Sequence, residues 1–191
     1  MAIKSLKSNS YGRSVMAGNS LILPGDFESI ATTTLSSSGT VTFSSIPQTF
    51  KHLQIRINAR DVSGFSDCIL QMRFNSDTGG NYGYHWLYGN GASVSAYQFT
   101  ANSVLSAGYL GGGGAAANIF GSAVIDIFDY SNTNKYKTTR SLVGIDRNGS
   151  GWMGLFSGYW ASTSGISTIL LQSDNGSFGA NSSFALYGIR G

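Results

Sequence analysis

Residues 122–162 read SAVIDIFDYSNTNKYKTTRSLVGIDRNGSGWMGLFSGYWAS, which is three apolar-rich runs separated by two polar turns. Side chains alternate along each run with a period of two, and β-branched and aromatic residues dominate, as is typical of strands. Asn-Gly at 148–149 stands between the second and third runs, where a tight hairpin turn requires positive φ. These features predict a three-stranded antiparallel meander at the centre of a sheet, with Asp126 paired to Arg140 across two of its strands.

The chain from Asp26 onward also reads as strands, without a helix. Further strands are predicted at 27–35, 40–43, 51–60, 68–74, 82–88, 93–99, 166–172 and 184–189. Residues 46–50 are predicted to form either one helical turn or a corner, and residues 101–118 are predicted to be mostly loop. About ten strands joined mostly by short turns favour an all-β fold, an antiparallel β-sandwich of jelly-roll type.

The net charge of +3 belongs to a short N-terminal segment, because residues 26–191 hold nine basic and nine acidic residues. We therefore divide the chain into a basic arm at residues 1–25 and a single sandwich domain at residues 26–191. A neutral domain lacks the basic patch that nucleic-acid binding requires. The arm is interpreted either as a frayed terminus or as a segment that becomes ordered on an acidic partner surface. Its candidate attachment residues are Lys4, Leu6, Lys7, Tyr11, Arg13, Val15 and Met16.

Residue types that carry chemistry are few and scattered. The two histidines, His52 and His85, are predicted on separate strands, which does not favour a metal site. Cys68 lies in an apolar run and is predicted to be a buried thiol. The glycines of residues 111–114 lack the Lys-Ser/Thr and the following helix of a phosphate-binding loop, so we expect a flexible or close-packed surface loop. We expect no enzyme, no catalytic residue, no metal and no cofactor, and no apolar run is long enough to predict a membrane span.

Aromatic side chains give the strongest signal for an interaction. One predicted strand alternates Tyr82, Tyr84, Trp86 and Tyr88 on one face, and another holds Trp152 and Trp160. Rings in such numbers either fill the sandwich core or form a platform for a glycan or a seam between subunits. Both interpretations stay open from the sequence.

Several segments resemble a family of phage virion accessory proteins. They are FESIATTT at 27–34, FSSIPQTFKHLQIR at 43–56, RFNSDTGGNYGYHWLYG at 73–89, NKYKTTRSLVG at 134–144 and SSFALYGIRG at 182–191. The resemblance covers nearly the whole chain and its motifs are not catalytic. It implies a virion location, an antiparallel β-sandwich, a homo-oligomer that is commonly a trimer, and contact with the major capsid protein or with tail proteins.

Three functions are weighed on this basis. A capsid decoration (cement) protein attached through the arm is ranked first, because a short basic segment suits an acidic virion surface. A tail-fibre or spike module that binds host-surface glycans is the alternative, but 25 residues make a poor shaft. A polysaccharide hydrolase ranks last, because only nine acidic residues are present and none forms a clustered pair.

Overall fold

A computed structural model describes residues 15–17, 20–22 and 26–191 of the chain. The strands are β1 (Val15–Ala17), β2 (Ser20–Ile22), β3 (Phe27–Thr34), β4 (Val41–Phe43), β5 (His52–Ala59), β6 (Asp67–Phe74), β7 (Tyr82–Gly89), β8 (Val94–Asn102), β9 (Leu105–Gly111), β10 (Gly121–Phe128), β11 (Lys137–Asp146), β12 (Gly151–Trp160), β13 (Ile169–Ser173) and β14 (Ser183–Ile189). In this part of the chain no helix is long and apolar enough to cross a membrane.

Twelve of the strands form two antiparallel sheets that pack face to face. The large sheet has the order β3-β14-β5-β10-β11-β12-β7-β8, and the small sheet has the order β4-β13-β6-β9. Strands β1 and β2 pair only with each other among the described residues. The predicted antiparallel β-sandwich is confirmed.

The predicted meander is formed by β10, β11 and β12, which are consecutive neighbours in the large sheet. Along β10, buried Ala123, Ile125 and Ile127 alternate with more exposed side chains, as the hydrophobic period requires. Asn148 and Gly149 both have positive φ, at 57° and 102°, in the turn between β11 and β12. The three predicted strands, the turn at Asn148 and Gly149, and the predicted inward side of β10 are therefore confirmed.

The core lies between the inward faces of the two sheets. The large sheet contributes Leu53, Ile55, Ile57, Ile125, Ile127, Phe156, Phe184 and Leu186, and the small sheet contributes Val41, Phe43, Leu70, Met72, Phe74, Ile169 and Leu171, all buried. Cys68 belongs to the same cluster, so its predicted burial is confirmed.

The structure corrects the prediction that residues 101–118 are mostly loop, because β9 is a buried edge strand of the small sheet. A Cβ on Gly108 would lie 2.2 Å from Val143 Cγ1, and a Cβ on Gly158 would lie 2.7 Å from Leu105 Cδ1. Absence of these side chains lets β9 lie close against β11 and β12. Gly108 and Gly158 are thus needed for close packing between the sheets.

Two further observations concern local structure. Residues 46–50 contain no helical turn, which leaves the predicted corner. Lys137 lies on the same side of β11 as Val143, as alternation requires, and is fully buried, with Nζ donating to the carbonyl oxygens of Asn132 at 2.6 Å, Lys135 at 3.0 Å and Thr163 at 3.2 Å. Burial lowers the pKa of the Lys137 ammonium.

Replacing Ile125 by alanine tests the inward face of the central strand. Ile125 is fully buried, so Ile125→Ala should lower the free energy of unfolding by about 2–5 kcal/mol, as large-to-small substitutions in cores do. Thr32→Ala is the control, since Thr32 is exposed on the edge strand β3 and its truncation should cost about 0.5 kcal/mol or less. Equal losses in urea unfolding would contradict the assigned facing.

Candidate interaction surface

The six aromatic side chains singled out in the sequence lie on the inward side of the large sheet. Tyr82, Tyr84, Trp86 and Trp160 are buried in the core cluster, so they expose almost no surface to a glycan or a second subunit. Tyr88 and Trp152 are partly buried beside them, with ring centroids 4.7 Å apart. The structure therefore favours the first interpretation, in which these rings fill the sandwich core.

Hydrogen bonds hold the polar ends of Tyr82 and Trp152 but not that of Trp86. The Tyr82 hydroxyl accepts from the Phe74 N–H at 3.0 Å, and burial raises the pKa of Tyr82 to about 12. The indole N–H of Trp152 donates to Asp67 Oδ2 at 2.6 Å. Buried tyrosine and tryptophan usually have such partners, but the buried indole N–H of Trp86 has none among the described residues.

The predicted ion pair of the meander is present on its outward face. Arg140 Nη2 donates to Asp126 Oδ2 at 2.8 Å, and Gln54 Nε2 donates to the other carboxylate oxygen at 2.9 Å. The Arg140 side chain is 64% exposed, so the pair contributes little to stability. Its position across three strands makes it a polar border on that face.

The histidines are not brought together. His52 Nδ1 accepts a hydrogen bond from the Asp129 N–H at 2.9 Å, while His85 Nε2 lies 3.1 Å from Gln98 Oε1 on the next strand. Each imidazole thus has a local structural partner.

Asp61, Cys68 and Asp174 are the acidic and thiol groups that the described chain brings closest together, with ligand atoms within 4.8 Å of one another. Asp61 is buried, and its carboxylate accepts from the Ser63 and Gly113 N–H groups and from the Ser173 hydroxyl. Burial, followed by the nearby Asp61 charge, raises the pKa of Cys68 to about 12, so the thiol is protonated. These hydrogen bonds compensate the burial of the Asp61 carboxylate, which therefore acts as a structural anchor.

That anchor holds the glycine loop of residues 111–114 against residues 62–66. Arg60 Nη2 donates to the carbonyl oxygens of Gly112 and Gly113, both at 3.2 Å, and Gly114 N–H donates to the Phe65 oxygen at 2.7 Å. A Cβ on Gly113 would lie 2.4 Å from the Ser63 oxygen. The loop of residues 111–114 is therefore the close-packed form of the two that the sequence predicts.

Adding one methyl group to this loop should disturb it. Gly113→Ala places the new Cβ against backbone, so we expect a loss of about 1–3 kcal/mol in the free energy of unfolding. Gly64→Ala in the facing segment is the matched control, because a Cβ there meets no atom within 4 Å and should change stability by about 0.5 kcal/mol or less. The idea fails if chemical denaturation gives the same midpoint for both variants.

The turn after β6 is organised by Asp77. Its carboxylate accepts from the indole N–H of Trp160 at 2.7 Å, from Asn81 Nδ2 at 2.9 Å and from the Gly79 N–H at 2.8 Å. The bond from Trp160 is the largest cause that lowers the pKa of Asp77. The carboxylate therefore stabilises the turn only when it is ionised.

This geometry predicts a pH dependence of stability. Because the folded pKa of Asp77 is depressed, its contribution is present above the unfolded pKa of about 3.9 and is lost as pH falls through the folded value. Asp77→Asn should therefore lower the melting temperature near neutral pH, and the difference from wild type should shrink below about pH 4. Asp26→Asn controls for the change in net charge. A difference that stays constant down to acid pH would contradict this assignment.

The arm residues Lys4, Leu6, Lys7, Tyr11 and Arg13 lie outside the described residues. Val15 and Met16 belong to β1, whose backbone pairs with β2. The predicted role of these residues in attachment stays a prediction.

The sequence analysis overlooked an aliphatic surface on the outward face of the large sheet. The register aligns Val124 with Leu142, Leu142 with Leu155, and Leu155 with Leu87, which makes one row across four strands. The next row places Met153 on β12 and Val94 on β8, on either side of Gly89. We call the six side chains Leu87, Val94, Val124, Leu142, Met153 and Leu155 the outer apolar face; each is between 39% and 73% exposed.

Polar and charged side chains border this face. The row beyond it contains Asp126, Arg140, Ser157, His85 and Gln98. The exposed Arg56 aligns with Val124 at the β5 end of the first row, and the exposed Asp146 lies beyond Gly144 on β11. An open depression of about 1210 Å³ lies along the apolar rows, and its lining includes Gly89, Gly144 and Leu155. One signal was available in the sequence, since the outward sets of β10, β11 and β12 include Val124, Leu142, Met153 and Leu155, and large apolar residues on both sides of a strand indicate cover on both faces.

Comparisons with known proteins add no family. No family model matches the chain, and neither a curated protein nor a solved structure is significantly similar to it.

Proposed function

We propose that this protein is a structural component of a phage virion, a capsid decoration protein attached through its N-terminal arm. The resemblance noted in the sequence supplies the virion setting. The observation that carries the proposal is the outer apolar face, an uncharged and exposed sheet surface of the kind that marks protein–protein contact.

The described polar groups agree with a role in contact rather than in chemistry. The Asp61 and Asp77 carboxylates are occupied by hydrogen bonds from the chain itself, and Asp126 is paired with Arg140. Each of these groups has a structural partner that accounts for its position. The proposal therefore assigns no reaction to them.

A tail-fibre or spike module that binds glycans is the second candidate. It drew its support from the aromatic residues, and four of those six rings are buried. Burial removes the platform that the sequence suggested, so the structure supports decoration better than sugar binding.

The strand pairing supports the finer inference that the sandwich is a jelly roll. β3 pairs with β14, β4 with β13, β5 with β10, and β6 with β9. These nested pairs are those of one long hairpin wound into two sheets. In this interpretation the hairpins β7–β8 and β11–β12 are insertions that widen one sheet from four strands to eight.

Removing residues 1–20 tests attachment separately from folding. The two sheets are formed by residues 27–189, so the truncated chain should melt as the full chain does. It should be lost from purified virions, because the basic arm is proposed to meet an acidic virion surface. The measurements are calorimetry of the isolated protein and mass spectrometry of virions assembled with either chain.

A matched control keeps the arm and removes its charge, as Lys4→Ser with Lys7→Ser and Arg13→Ser. We expect this variant to bind virions weakly and with little dependence on salt. Full incorporation of the truncated chain would rule out attachment through the arm.

A further inference from the structure

We propose that the outer apolar face is the surface through which copies of this chain pack against one another. The inference deepens the proposed function and rests on it for the setting and for the homo-oligomer that the resemblance implies. It assigns the subunit seam to β10, β11, β12, β7 and β8, and to aliphatic rather than aromatic side chains.

The chemistry of the face restricts what can cover it. The row Val124, Leu142, Leu155, Leu87 carries no charge, and residues 78–125 of the chain hold no Asp, Glu, Lys or Arg. A strongly charged partner would have to bury its charges there without counter-charges, which is costly. An uncharged apolar surface is the matching partner, and a second copy supplies one.

The face also has the shape and border to match a copy of itself. Met153 is 68% exposed and projects beside the depression lined by Gly89 and Gly144, so a neighbouring copy offers a groove for this side chain and a side chain for this groove. At the polar border, Asp126 and Arg140 provide both signs of charge. Copies therefore meet without net repulsion, and the apolar centre with a polar rim is the usual anatomy of an interface.

The outer apolar face and its polar border together approach the size of a stable contact. Five strands at about 4.8 Å spacing and about eight residues at about 3.3 Å each give a projected area of about 600 Å² for the apolar rows and the polar rows beside them. A standard interface buries about 800 Å² per partner, and the accessible area of a surface with projecting side chains exceeds its projection.

An independent observation comes from β8, which ends the large sheet. Among the described residues β8 pairs only with β7, and its sequence VSAYQFTAN contains neither a charge nor a proline. Natural edge strands are normally protected by charges, proline or a covering element. A second copy that packs over β7 and β8 would cover the uncharged outward side chains Val94 and Ala96 of this edge strand.

The test is the mass of the full chain by light scattering at micromolar concentration. Wild type should be an oligomer, and Leu142→Glu with Leu155→Glu should reduce the mass to one subunit while a cooperative melting transition remains. The matched control is Thr32→Glu with Thr34→Glu, which adds the same two charges to exposed positions on the far edge strand of the same sheet and should keep the oligomer. A monomeric wild type, or a glutamate variant with unchanged mass, would overturn the inference.

A less disruptive substitution tests the same seam if the glutamate variants do not fold. Leu142→Cys should be captured between copies by a short thiol cross-linker, whereas Thr32→Cys should not, and the native Cys68 is buried. Cross-linking of neither variant, or of both equally, would contradict the assigned seam. Virion content, measured by mass spectrometry, is a separate result: an assembly that uses this face but is absent from virions would reject the proposed function and leave the seam intact.

Discussion

The antiparallel register of β10 against β5 and β11 determines which side chains of the large sheet meet the core. Ile125 aligns with Ile55 on one side and with Ser141 on the other, all facing the small sheet. Since the side-chain period of a strand is two, a slip of one residue would exchange this inward set for Val124, Asp126 and Phe128. The buried core, the ion pair and the outer apolar face all follow from this one alignment.

Local alternation was enough to predict the meander, the buried Cys68 and the Asp126–Arg140 pair, because each depends on residues within one strand or one hairpin. It failed where the cause is distant. The prediction of a loop at residues 101–118 centred on the glycines of residues 111–114 and overlooked β9, whose packing against β11 and β12 depends on residues distant in the chain. The row from Val124 to Leu87 continues from the predicted meander onto β7, and no local pattern reveals that β7 lies beside β12.

The few charges of this chain are used largely to hold backbone. Arg60 and Lys137 donate to carbonyl oxygens of loops, and Asp61 and Asp77 accept from N–H groups of loops. Charged residues make up only 11% of the sequence, so this internal use leaves hydroxyls, amides and aliphatic groups to cover much of the outside. A surface of this composition is suited to lasting contact with other protein, because little desolvation of charge opposes it.

The position of β7 in the large sheet has a consequence for the order in which the fold is completed. β7 and β8 end at residue 102, but β7 is held in the sheet by β12, which begins at Gly151. In a chain synthesised from its amino terminus, this uncharged hairpin therefore emerges well before the strand that will receive it. Closing so long a loop is entropically costly and slow, so the residues that widen the finished sheet gain their second neighbour late, as does β3, which pairs with β14.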